Sequence, residues 1–68
     1  MKGWASVFKT DLLYRAEMVK SVLQNNDLQA VVVDKKDSNY GFGYYEVHVA
    51  ADNVLKAIKI IQDDISFK

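Results

Sequence analysis

Asp37-Ser38-Asn39-Tyr40-Gly41-Phe42-Gly43-Tyr44-Tyr45-Glu46-Val47-His48-Val49 runs from a polar turn through glycine-spaced aromatics into clean alternation. Successive side chains of an extended chain point to opposite faces, so Tyr45, Val47 and Val49 share one side and Tyr44, Glu46 and His48 the other. The pattern predicts a strand over Tyr44–Ala50 with one face buried and the other wet or shared. A strand of this kind needs neighbouring strands and a layer packed on one side, and the flanking sequence is read for both.

Upstream, Trp4, Val7, Phe8 and Thr10 mix aromatic and β-branched residues, which predicts a first strand over Trp4–Thr10. Thr10 or Asp11 offers an N-cap. From Leu12 to Leu23 the apolar residues Leu12, Leu13, Ala16, Val19, Val22 and Leu23 recur at three- and four-residue steps, the mark of a helix with one buried face. Asn25-Asn26-Asp27 tolerates the left-handed backbone that ends many helices, although glycine does so with less strain. Leu28–Val33 is an apolar, β-branched run and reads as a second strand. The charged segment Asp34-Lys35-Lys36-Asp37-Ser38-Asn39 reads as the loop after it.

Downstream, Asp52 is placed to cap a second helix, with Val54, Leu55, Ala57, Ile58, Ile61 and Ile65 on an apolar stripe and Lys56, Lys59, Asp63 and Asp64 outward. The helix is expected to run to about Asp63. Ile65-Ser66-Phe67 leaves room for a short fourth strand at the sheet edge.

The 68 residues suffice for one domain, 1–68, that buries roughly 60% of its unfolded surface. A core this small is thinly stabilised, so the 50% apolar content must serve either one tight core or partly a subunit interface. The absence of cysteine excludes disulfides, zinc–thiolate sites and thiol nucleophiles, and makes the cytoplasm the default compartment. Nine basic and nine acidic side chains cancel, so there is no global field to draw in nucleic acid or an anionic membrane. No apolar run approaches the roughly 20 residues of a membrane span, and a soluble protein is expected.

The order β-α-β-β-α(-β) predicts an α+β two-layer sandwich of ferredoxin-like or ACT-like outline, an antiparallel sheet with two helices on one face. The first and third strands then lie side by side. Tyr44, Glu46 and His48 face away from the helices, and Ser6, Phe8 and Thr10 are the expected outward set of strand one. An uncovered sheet face of this kind suits contact with a partner, with a second copy or with a small ligand.

Trp4…Val7-Phe8, Ala16-Glu17-Met18-Val19-Lys20 with Leu23, Ala30-Val31-Val32-Val33-Asp34-Lys35-Lys36-Asp37-Ser38 and Phe42-Gly43…Glu46-Val47-His48-Val49 together resemble the putative prokaryotic signal-transducing protein family, a small bacterial domain of unknown function. The resemblance covers nearly the whole chain. Its most specific pieces are Ala16-Glu17, the Lys36-Asp37-Ser38 turn and the Phe42-Gly43 that opens the alternating strand. Where that family often has glycine after the first helix, this chain has Asn26-Asp27. The resemblance implies an α/β two-layer fold and a role in signal transduction, and it transfers no catalytic residues.

RNA-recognition motifs share the strand order and stack bases on aromatics of strands one and three. Gly41-Phe42-Gly43-Tyr44-Tyr45-Glu46-Val47 is similar to the strand-three signature and Val7-Phe8-Lys9-Thr10-Asp11-Leu12 loosely to that of strand one, which makes Phe8, Phe42 and Tyr44 the candidate stackers. Against this, Tyr40 replaces the leading basic residue, Val47 the closing aromatic, and the net charge is zero.

Catalysis has little to build on. Glu46 and His48, two apart on one strand face, are the one acid–base pair the spacing suggests, and no nucleophile is aimed at them. Two ligands are too few for zinc unless a dimer completes the shell. Lys35, Lys36, Gly41 and Gly43 are able to hold an anion, but they match no phosphate-loop spacing. Tyr40 and Phe42 either cap the end of the core or stand exposed for recognition, and Met18 and Trp4 are candidates for the core or its edge. The expectation is a non-enzymatic regulatory or interaction domain without cofactor or metal. It would bind a protein partner, itself as a dimer, or a small ligand through Lys35, Lys36, Tyr40, Phe42, Tyr44, Glu46 and His48, with nucleic-acid binding as the alternative.

Overall fold

A computed structural model describes residues 3–37 and 42–64. Strand β1 (Trp4–Thr10) is followed by helix α1 (Leu13–Asn25), strands β2 (Ala30–Asp37) and β3 (Phe42–Ala50), a 3-10 turn (Ala51–Asn53) and helix α2 (Val54–Asp64). The sheet order is β1-β3-β2 with both pairings antiparallel, so β1 and β3 are neighbours as expected. The fold is α+β, compatible with the ferredoxin-like sandwich. The fourth strand considered at Ile65-Ser66-Phe67 lies outside the described residues.

The core joins one face of the sheet to both helices. Val47 and Val49 of β3 are fully buried with Ala16, Val19 and Leu23 of α1 and Ala57 of α2, and Leu28 and Ala30 close the cluster. Ala16, Val19 and Leu23 recur at helical spacing, which sets all three on one side of α1. Tyr45, expected in the core, packs half-buried against its edge.

Several sequence expectations are corrected. Leu12, Leu13 and Met18 are 36%, 47% and 46% exposed, because the inner side of α1 needs only Ala16, Val19 and Leu23 to meet the sheet. Leu55, assigned to the buried stripe of the second helix, is 84% exposed, while Ile60 joins Val54 and Ile61 against the core. Ala51–Asn53 winds as a 3-10 turn before α2 begins at Val54, so Asp52 sits inside that turn and not at the cap position of α2. The segment Asp34–Asp37 is not a loop. It continues β2, pairing Asp34 with Tyr45, Lys35 with Tyr44, Lys36 with Gly43 and Asp37 with Phe42.

Both ends of α1 follow local chemistry. Thr10 Oγ1 accepts the backbone N–H of Leu12 at 3.1 Å; the cap position is Leu12 itself, so Thr10 tethers the entry from two residues before it and neither Thr10 nor Asp11 is the N-cap. At the exit, the Leu28 N–H donates to Leu23 O at 3.1 Å and the Asp27 N–H to Gln24 O at 3.0 Å. These two bonds, with Asp27 left-handed at φ 66°, form a Schellman motif, and buried Leu23 and Leu28 supply its apolar contact. The left-handed stop expected at Asn25-Asn26-Asp27 is therefore carried by Asp27.

One irregularity positions everything on the opposite face. Ser6 pairs with His48, yet Phe8 pairs with Val47, leaving Val7 as an extra residue in β1. A bulge of this kind advances the alternation by one. Phe8 thus turns to the helix side and packs with Val7 against the core, and Lys9 replaces it outside, opposite Glu46. Of the expected outward set, Ser6 stands, whereas Phe8 and Thr10 share the side of Val47 and Tyr45.

Candidate functional site

The helix-free face is built from cross-strand rows. Trp4 lies opposite Ala50, Ser6 and Val31 flank His48, Lys9 and Val33 flank Glu46, and Lys35 stands beside Tyr44. The bulge at Val7 brings Lys9 into this surface, where its Nζ sits 4.3 Å from the centroid of the Tyr44 ring. A cation over an exposed ring is worth about 0.5–1 kcal/mol. With Lys35 on the far side of Tyr44, this end of the face carries two ammonium groups around one phenol.

In the middle, His48 Nε2–H donates to Glu46 Oε1 at 2.9 Å. The two side chains are only 13% and 16% exposed although no helix covers them, since the flanking rows shield them on a flat surface. A nitrogen facing a carboxylate carries the proton, which assigns the ring tautomer by its network. Nδ1 is buried and has no hydrogen-bond partner among the described residues. Ser6 stands opposite His48 but its hydroxyl makes no bond to Nδ1, so the base–nucleophile contact that activates a serine is not formed. No trio of His, Asp or Glu side chains among the described residues is placed to hold a metal.

The residues singled out from the sequence separate into three groups. Tyr44, Glu46, His48 and Lys35 come together on one face. Lys36 and Phe42 belong to the outer β2–β3 ladder, where their backbones pair with Gly43 and Asp37; Gly43 is part of β3, and Gly41 lies outside the described residues. Tyr40 lies outside the described residues. Phe8, a proposed base-stacking residue, is excluded from the open face by the bulge. Lys9 is the residue that sequence reasoning missed: strict alternation in β1 placed it inward, and no glycine or proline marks the extra residue at Val7.

The expected family resemblance is matched by a family model that spans residues 4–64, every element from β1 through α2, and whose description is Putative prokaryotic signal transducing protein. The chain belongs to this family. No curated protein and no solved structure matches it. The signal-transducing family thus brings a coarse functional description, and the site rests on the geometry of this chain. No helix among the described residues is long and apolar enough to cross a membrane.

Proposed function

We propose that this signal-transducing family member is a non-enzymatic interaction domain whose open sheet face takes a protein surface, either a partner's or that of a second copy. The observation that carries this reading is the Glu46–His48 hydrogen bond, held largely out of water on a face the helices leave bare. Burying a polar pair costs desolvation that an apolar or fully exposed alternative avoids, so its presence on this face is better explained by recognition than by folding. The Lys9–Tyr44–Lys35 end adds a cationic, aromatic rim that favours an acidic contact on the partner. The missing contact between Ser6 and His48 supports binding over catalysis.

The test is light scattering across a concentration series, combined with hydroxyl-radical footprinting of Tyr44 and His48 in the isolated protein and in a cell extract. Protection of both residues, either with self-association or in the extract, is expected. Unchanged labelling in a protein that stays monomeric under both conditions would discard the reading.

A further inference from the structure

A cleft of about 460 Å³ opens at the far end of the molecule, between the exit of α1 and Trp4. It shares Trp4 and Val31 with the helix-free face, at the end opposite Lys9 and Tyr44, and falls in the size range of small-molecule sites, roughly 300–1,000 Å³. Its walls are Trp4, Gln24, Asp27, Gln29 and Val31, with Leu28 and Ala30 behind them.

Three features of this cleft share one sign. Asp27 places a carboxylate at the C-terminus of α1, where the helix dipole is already negative, and the last turn of α1 has no basic residue to offset it. No cation among the described residues pairs with that carboxylate. Gln24 Nε2 donates one of its two N–H groups to the Ala30 carbonyl at 3.3 Å, which anchors the amide and leaves Oε1 as an available acceptor beside one further N–H. Trp4 adds an aromatic wall, the best face among side chains for a cation. Asp27 has φ 66°, a backbone that aspartate tolerates with more strain than glycine, and its charge is unfavourable at a helix C-terminus, so helix electrostatics do not explain an aspartate here.

We propose that this cleft binds an organic cation bearing N–H donors, an alkylammonium or guanidinium group. Asp27 and the Gln24 amide oxygen accept its hydrogen bonds and Trp4 covers its apolar or cationic flank. The cation arrives either as a free small molecule or as a lysine or arginine side chain of a partner.

Trp4 is the chain's single tryptophan, so its emission reports on the cleft directly. Agmatine is titrated into the full chain at constant ionic strength, beside n-butanol and sodium chloride as uncharged and inorganic controls, and beside an acetylated, amidated Gly-Arg-Gly peptide. A saturable change with agmatine or peptide, absent from both controls, is expected, with dissociation constants in the millimolar range. Tighter binding of the peptide than of agmatine assigns the site to a partner's side chain, and the reverse to a free cation. Asp27→Asn tolerates the left-handed backbone and should weaken binding about tenfold. Asp27→Gly should abolish binding while raising the melting temperature, which separates loss of the ligand group from loss of folding. No saturable change with either cation, or equal affinity in wild type and Asp27→Asn, overturns the proposal.

Discussion

Phe8 stands opposite Val47, whereas Ser6, two residues earlier, stands opposite His48. Two residues along one strand advance only one residue along the other, and the extra residue, Val7, turns the second half of β1 over. The aromatic ring goes into the core and Lys9 comes out to meet Tyr44.

Phe8→Ala should therefore destabilise the fold by about 2–3 kcal/mol, somewhat below the cost at a fully buried site. Lys9→Ala should cost less than about 1 kcal/mol. Urea unfolding of the two variants checks the order; a Phe8 variant as stable as the Lys9 variant would mean that the alternation is not displaced.

Asp27→Gly should stabilise the protein by about 0.5–1 kcal/mol, because relief of left-handed strain outweighs the greater entropy of glycine in the unfolded chain. For a chain of this size that is a rise in melting temperature of roughly 2–8 °C. Calorimetry reads it directly. Leu23→Ala acts in the opposite sense, removing both a core side chain and the apolar contact of the Schellman motif, at about 3 kcal/mol or more. Against a total of roughly 3–10 kcal/mol for 68 residues, that variant should be partly unfolded at 37 °C by circular dichroism.

The Glu46–His48 bond should appear as a coupling of about 0.5–1.5 kcal/mol in a double-mutant cycle of Glu46→Ala and His48→Ala. Strictly additive single effects would show that the pair is not formed in solution.

Leu55→Gln should change stability by no more than about 0.5 kcal/mol, since the side chain is 84% exposed. Ile61→Ala, against the core, should cost about 1–3 kcal/mol. Thermal melts of the two variants distinguish the observed rotation of α2 from the stripe that sequence periodicity predicts.

Much of the fold was legible in residue order. The alternation of Tyr45, Val47 and Val49, the spacing of Ala16, Val19 and Leu23, and the left-handed tolerance of Asn25-Asn26-Asp27 are local properties, and local rules read them correctly. The candidate site was legible where it lies on β3, because a strand's alternation fixes Tyr44, Glu46 and His48 to one side. The charged run Asp34–Asp37 was misread as loop because pairing with β3 holds it extended against its turn propensity.

Apart from the Asp34–Asp37 extension of β2, the sequence by itself determined which segments are helix or strand and which side of β3 is buried, since each follows from period and chemistry within a few residues. Only the tertiary structure decided what shares the open face with β3. Cross-strand register is a non-local quantity: one unpaired residue at Val7 exchanges Phe8 for Lys9, and no feature of β1 alone announces it. The same holds at the other end of the molecule, where the exit of α1 and the start of β1, distant in sequence, meet to form the cleft of Asp27 and Trp4.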